Sequence, residues 1–373
     1  MFSCAGHHLK REIEQQNPKV IVPMGAAACR LVDGLDIEKQ HGIPMIGTSW
    51  WGKTIDTFPT YHPAAGLHAT DIMTELLEDF EDLGRFLRGE LTAPVDEYPD
   101  PDYRLLKGKK QVLSILDQRS IYDIIYVDTE FEPDVSIIVN ERWYRDRIYC
   151  LSFCFTPGTG YVIKVDDTEG MAAFTEWMMT RHRGQVCYHS AIADMPMLEQ
   201  VGVTTPIRRV DDTMERSYLL QRTPQGLKAL AYRLAGMHMD DFLDVVTPYA
   251  VDLMAEWIIN ISMDDWPKPA EQMVLDGKTG EYKKYKPQGL NTKIKRLITD
   301  FTKNPGHKVF KRVGEWDEEQ MLPVIDKYGY IPKPNIKYVP EKHLIRYAAR
   351  DADATCRVRA MLIKLKRRIR HVA

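Results

Sequence analysis

Read for the alternation of apolar and polar positions, the chain falls into blocks of strand length and helix length. Residues 8–16 have helical spacing, residues 19–24 (Lys-Val-Ile-Val-Pro-Met) form a short buried-strand pattern, and Gly25 turns the chain into a small-residue helix over 26–32. After a polar stretch come a strand at 54–58 and an acidic helix at 71–88. Residues 91–102 carry Pro94, Pro99 and Pro101 among acids and show no periodicity, the composition of an extended connection. Beyond it lie a helix at 107–116, strands at 124–131, 148–155 and 161–165, a helix at 169–181 and a strand at 185–188, a βββαβ order. A short strand at 210–214 then runs into a helix through Leu220, another helix opens at Gln225, and a last helix carries residues 347–355. Between about 240 and 338 the pattern changes, with an amphipathic helix near 251–259, a Trp266-Pro267 break and a Gly-rich turn at 276–280. These blocks predict a small α/β segment over 1–90, a linker over 91–102, and a second domain over 103–373 with an insertion at about 240–338.

The most informative block is Ile124-Ile125-Tyr126-Val127-Asp128-Thr129-Glu130-Phe131, a run of β-branched and aromatic residues that ends in two acids. A strand rises about 3.3 Å per residue and alternates faces, so Asp128 and Glu130 point the same way with backbones roughly 6–7 Å apart. Asp-x-Glu recurs at Asp36, Asp79, Asp167 and Asp317, but none of those copies ends a comparable apolar run. Asp194 follows the strand at 185–188 at the start of a helix and can project back over the sheet edge. In the last helix Tyr347 and Asp351 are four residues apart and share a face. Four carboxylates and a phenol are the groups that phosphodiester hydrolysis asks for. Hard, hydrated Mg²⁺ or Mn²⁺ prefers carboxylate oxygen, and two such ions can activate water and answer the charge on the leaving oxygen. A phenol titrating near 10 stays neutral at pH 7 while it positions water.

The order and spacing of Asp128, Glu130, Asp194, Tyr347 and Asp351 resemble the three exonuclease motifs of the DEDD superfamily, tyrosine subtype, and within it the proofreading domain of bacteriophage-type family A DNA polymerases. The resemblance implies a ribonuclease H-like exonuclease domain, a mixed sheet flanked by helices. It also implies that Asp128, Glu130, Asp194 and Asp351 hold two divalent cations, Mg²⁺ or Mn²⁺, while Tyr347 orients the attacking water. His189 stands where that family has Asn, keeping hydrogen-bonding capacity and adding a group able to titrate near neutral pH. Asp211, Asp212 and Asp353 are further acids near the motifs, expected as caps or solvated charges. From Lys278 to Arg312 eleven Lys/Arg stand against two acids, with Tyr282, Tyr285 and Phe301 interleaved. Such a stretch can grip phosphates and stack bases, and Lys283, Lys284, Lys286, Lys293, Lys295 and Arg296, with His189, are the candidate nucleic-acid contacts.

In the first segment Cys4, Pro18-Lys19-Val20-Ile21-Val22, Gly25-Ala26 and Tyr61-His62-Pro63-Ala64 resemble the C-terminal half of the iron–sulfur uracil-DNA glycosylases. That resemblance implies a small α/β partial domain preceding the exonuclease domain. His62 matches the histidine of that family's active-site loop, but the first two cluster cysteines and the water-activating motif would precede Met1, so no iron–sulfur cluster is expected.

Charge and cysteine content change this picture little. A net charge of −3 gives no general affinity for nucleic acid, so any basic surface is local. Six cysteines without C-x-x-C spacing, several inside apolar runs, suit reduced thiols and a cytoplasmic setting, bacterial or in a phage-infected host. No apolar stretch reaches membrane-spanning length, and no signal-peptide core opens the chain. The expected activity is 3′→5′ exonuclease action on single-stranded DNA 3′ ends, releasing nucleoside 5′-monophosphates, with a separately encoded DNA polymerase as the partner the resemblance suggests. The alternatives are a ribonuclease D-like exoribonuclease and a non-catalytic DNA-binding polymerase accessory protein.

Overall fold

The structure, a computed structural model, describes residues 8–31, 35, 37–67, 70–133, 135, 137–220, 225–260, 272–275, 282–285, 290–303, 306 and 333–372. Two compact units emerge, one from Met1–Phe131, Ser136–Met239 and Ile345–Ala373, the other from Glu132–Val135 and Asp240–Leu344.

The first unit opens with helix α1 (Leu9–Gln16), which stops at Asn17 in the left-handed region, φ 46°. Strand β1 (Val20–Ile21), short helices α2 (Ala26–Cys29) and α3 (Ile37–Gln40), and strands β2 (Met45–Trp50) and β3 (Lys53–Thr57) follow. They form a three-stranded sheet of order β1-β3-β2, β1 parallel and β2 antiparallel to β3. Strand β2 replaces the polar stretch expected there. It reads as polar because Gly47, Thr48 and Ser49 lie on a half-exposed edge, while Trp50 is buried and donates from its indole to Thr57 Oγ1 at 2.8 Å. Ile13, Cys29, Leu35, Ile37, Trp50 and Ile55 make a core of their own. Helices α4 (Pro63–Gly66) and α5 (Thr70–Leu87) close this part, with Asp79 of α5 accepting from Thr60 Oγ1 at 2.8 Å and bonding His41 Nδ1 at 3.0 Å.

The larger sheet begins inside the expected linker. Strand β4 (Asp102–Leu105) pairs in parallel with β9 at the sheet edge, a role hidden in the sequence by the prolines just before it. Helix α6 (Gly108–Leu116), strand β5 (Ile125–Glu132), the hairpin strands β6 (Ile137–Val139) and β7 (Arg142–Tyr144), then β8 (Arg147–Cys154) and β9 (Thr159–Lys164) come next. Helix α7 (Thr168–Glu176) runs on as a wide turn over Trp177–Arg181. Strand β10 (Val186–Tyr188), helix α8 (Ala191–Glu199), strand β11 (Val210–Asp212), and helices α9 (Thr213–Leu219) and α10 (Leu227–Ala235) complete the run. The six strands lie in the order β11-β10-β5-β8-β9-β4, with β8 antiparallel to β9 and β10 parallel to both β5 and β11. The expected βββαβ order is present, and the sheet is mixed and flanked by helices.

In the second unit helix α11 (Phe242–Asn260) extends well ahead of the amphipathic stretch expected near 251, straight through Pro248. Val246, Ala250, Met254 and Trp257 recur every three or four residues and are buried, and that packed stripe overrides the proline's missing N–H. Strands β12 (Gln272–Leu275) and β13 (Tyr282–Tyr285) pair antiparallel on either side of the expected Gly-rich turn, which itself lies outside the described residues. Helix α12 (Leu290–Lys303) follows. The last helix, α13, spans Glu341–Val372, and from Ile345 on it belongs to the first unit.

Burial of apolar surface on both faces fixes β5 at the centre of the large sheet. On one face Ile125 and Val127 join Val112, Leu116, Leu151, Phe153, Ile163, Phe174 and Trp177, residues of α6, β8, β9 and the α7 region. On the other face Tyr126 packs with Cys154, Cys187 and, from α13, Ala352 and Cys356. Side chains alternate along a strand, so Asp128 and Glu130 continue the Tyr126 face, where α13 lies. Cys29, Cys150, Cys154, Cys187 and Cys356 are buried free thiols, and Cys4 lies outside the described residues. Among the described residues no helix is long and apolar enough to cross a membrane.

Candidate active site

Strand β5 and helix α13, pressed together by the Tyr126, Ala352 and Cys356 contacts, deliver their acids to one place. Asp128, Glu130 and Asp351 each present a carboxylate oxygen within 4.8 Å of the other two. Glu130 and Asp351 are buried and Asp128 is partly so. Their oxygens meet more closely than the backbone spacing on the strand because three flexible side chains lean to a common point.

Asp194 approaches from the opposite side. Helix α8 contributes Ala191 and Leu198 to the core on the Ile125 face, so Asp194 reaches the site over the end of β10. Strand β10 pairs with β5 only at Ile125 and Tyr126, leaving Thr129 beyond its end. Thr129 turns both its N–H, at 3.0 Å, and its Oγ1, at 2.7 Å, toward Asp194 Oδ1. One Asp194 oxygen is therefore committed to β5, and Asp194 stands beside the three-acid cluster. A second carboxylate sets the entry of α8. Asp212 accepts from Ser190 N at 3.1 Å, Ala191 N at 2.6 Å and Met214 N at 2.8 Å, so it caps α9 and also holds the turn into α8, where Ser190 is in the left-handed region.

So many carboxylates in a poorly hydrated place hold their protons tightly. Loss of hydration, then the charges of Asp194, Asp351 and Glu130, push Asp128 well above the ordinary carboxylate range, while Lys228 pulls it down. Glu130 is pushed well up by burial and then Asp351, again opposed by Lys228. Burial raises Asp194 to about 7, against the downward pull of the two Thr129 hydrogen bonds. The donor set fits a hard divalent cation. It is all carboxylate oxygen, it is largely buried, and a cation would remove the repulsion that drives these shifts.

Tyr347, one turn before Asp351 on α13, is buried, and Lys228 Nζ of α10 lies 5.1 Å from its ring centre. Lys228 and Thr129 are the two residues of the site that sequence reasoning passed over. Thr129 is the silent middle residue of Asp-x-Glu, and Lys228 is one lysine among many.

The remaining candidates are less involved. His189 bonds Thr213 Oγ1 through Nδ1 at 2.8 Å, and burial lowers it to about 4, so it is neutral at pH 7 and does not titrate near neutrality as expected. Asp211 pairs with Arg216 and with Arg359 Nε, the latter at 2.7 Å, and Asp353 with Arg357 Nη2 at 2.6 Å and the Tyr103 hydroxyl at 2.8 Å, so both are structural anchors. Lys283 and Lys284 lie on β13, Lys293, Lys295 and Arg296 on α12, and Lys286 outside the described residues. Arg296 is exposed, whereas Leu297 and Phe301 are buried, so Phe301 packs inward and does not face solvent as a stacking ring. In the N-terminal part His62 is exposed and its Nδ1 accepts from Ala64 N at 3.1 Å, capping α4.

The fold and the carboxylate cluster define a mixed α/β domain with an acidic site, able to hold a cation, where its central strand meets its last helix. No protein-family model matches the chain, and no curated protein sequence does. Among solved structures it is similar to Trypanosoma brucei RNase D in complex with RNA U12, at 13% identity and TM-score 0.36, over 70% of this chain and 63% of that one. It is similar also to the catalytic core of RRP6 from Trypanosoma brucei (mutant C496S), at 12% identity and TM-score 0.31, over 40% of this chain and 39% of that one. A third similarity is to Brucella melitensis NrnC with bound Mg²⁺, at 20% identity and TM-score 0.25, over 32% of this chain and 57% of that one. The chain thus spans less than two thirds of the length of each of these proteins.

Proposed function

We propose that this protein is a divalent-metal-dependent 3′→5′ exonuclease with a ribonuclease H-like catalytic domain, acting on single-stranded DNA ends and releasing nucleoside 5′-monophosphates. The observation that carries the reading is the convergence of Asp128, Glu130 and Asp351 within 4.8 Å, from two elements far apart in sequence. Asp194, bonded to Thr129 between Asp128 and Glu130, and Tyr347, one turn before Asp351, are the two further groups this reading assigns to the site.

With Asp128, Glu130, Asp194 and Asp351 as ligands, two Mg²⁺ or Mn²⁺ ions would supply an activated water and neutralise the leaving oxygen. The protein's own groups do the rest. Tyr347, one turn before Asp351, would orient the attacking water through its hydroxyl. Lys228, beside the Tyr347 ring and the acids, keeps the phenol in place and offsets their charge. Thr129 fixes the rotamer of Asp194, so that its second oxygen is the one left to bind. The choice of DNA follows the resemblance to polymerase proofreading domains, and a separately encoded polymerase is the partner that resemblance suggests. The glycosylase-like N-terminal part is proposed as a docking or DNA-contacting remnant.

Single-stranded DNA or RNA labelled at the 5′ end and incubated with Mg²⁺ or Mn²⁺ tests this. DNA should shorten stepwise from the 3′ end, and Asp128→Ala should be inert. Equal activity in wild type and Asp128→Ala would sink the reading, and faster loss of RNA would move the substrate to RNA. Release of uracil from the same DNA would overturn the remnant reading.

A further inference from the structure

The hairpin β6–β7 has no counterpart in the expected βββαβ pattern, and nothing in the chemistry of the acids uses it. Its two strands are joined by a two-residue turn, Asn140-Glu141, with both residues at positive φ (48° and 64°), the tight turn whose twist matches that of the flanking strands. Alternation sorts its side chains into two faces. On one face Tyr144 donates to Glu199 Oε2 at 3.3 Å, and Arg142 pairs with the same carboxylate. Gln200 adds two bonds, accepting from Ile148 N at 3.1 Å and donating to Asp146 O at 2.9 Å. The hairpin is therefore anchored on the C-terminal end of α8, the helix whose first turn carries Asp194, a rise of roughly 7.5 Å away.

The other face holds Ile138 and Trp143, which lie directly opposite each other in the register and are 70% and 64% exposed. The pair presents an indole and an aliphatic side chain together to solvent. Arg145 and Arg147, both exposed, follow Trp143 along the chain. An aromatic side chain followed by two arginines, on a hairpin anchored to the helix that carries Asp194, matches the bases and phosphates of a single strand. A protein partner would account for the apolar pair but not for the two arginines.

We infer that Trp143 is a base-stacking platform for nucleotides of the single strand that lie away from the scissile end, with Ile138 flooring the platform. This rests on the exonuclease reading for the nature of the bound strand, but it concerns affinity for length and not the chemistry of the acids.

The test compares wild type, Trp143→Ala and Trp143→Phe on a dinucleotide and on a single strand of roughly twelve nucleotides, within the usual footprint of such surfaces. Trp143→Ala should raise KM for the longer strand about tenfold with kcat unchanged, as expected for loss of one stacked base. The dinucleotide should be hydrolysed as by wild type, and Trp143→Phe should recover most of the loss. Fluorescence anisotropy of the labelled strand in EDTA reads the same contact without turnover. If wild type hydrolysed nothing while Trp143→Ala still weakened binding, the platform would stand and the exonuclease reading would fall. If Trp143→Ala bound the longer strand as tightly as wild type, the platform would be refuted, and the exposed pair would be left for a protein partner.

Discussion

Asp128 illustrates how one carboxylate trades stability for chemistry. It is held against Glu130 and Asp351, so the metal-free protein carries repulsion that only a proton or a cation relieves. Asp128→Asn should therefore raise the melting temperature in EDTA while abolishing hydrolysis, and a lowered melting temperature would show that the cluster is not repulsive. Thr129 acts at one remove. Thr129→Val keeps shape and the backbone bond but removes the 2.7 Å hydroxyl bond to Asp194, and activity should drop roughly ten- to a hundredfold, as for other groups that orient metal ligands. The check is a titration with Mn²⁺, in which the loss should appear partly as weaker metal dependence. The meeting of Asp128, Glu130 and Asp351 was legible from residue type and spacing. Thr129 and Lys228 were not, because their roles depend on which strand end is left unpaired and which helix crosses α13.

Among the elements, α13 does the most. Its apolar positions cover the Tyr126 face of the sheet, its Asp351 enters the site, and its Arg357 clamps the supposed linker. Arg357, 4% exposed, bonds Asp353, Asp96 at 2.5 Å and the Tyr98 carbonyl at 3.3 Å, so residues just ahead of β4 are pinned to the helix. Asp353→Ala should destabilise the fold by about 1–3 kcal/mol, because it leaves the Tyr103 hydroxyl without its acceptor and removes one of the two carboxylates that hold the buried Arg357. A urea midpoint that stayed at the wild-type value would contradict this. Strong apolar runs made β5, β8 and β9 readable. Edge strands β2 and β4 and the hairpin were missed because half their side chains face water, which dilutes a period-two signal over so few residues.

At the level of the folded chain, the acids make stability depend on pH and metal together. Asp128, Glu130 and Asp194 are all raised on folding, Asp194 to about 7. A raised carboxyl means that the folded state binds more protons than the unfolded one between the ordinary value near 4 and the folded value. Stability without metal should be full below that window and fall as pH climbs through it. The melting temperature in EDTA is thus expected to be lower at about pH 8 than at about pH 5, and Mg²⁺ or Mn²⁺ should raise it more at about pH 8, where the carboxylates are bare. Differential scanning fluorimetry at both pH values decides this, and an equal metal response at both would rule it out. Sequence alone sufficed for the order of the main elements and for the residue types of the site, since periodicity and hydrophobic runs are local properties written in neighbouring positions. Which oxygens meet, why Asp194 stands to one side, why His189 stays neutral and where Trp143 is displayed were decided only in three dimensions. Each depends on burial and on contacts between segments that are far apart along the chain, and no local pattern encodes those.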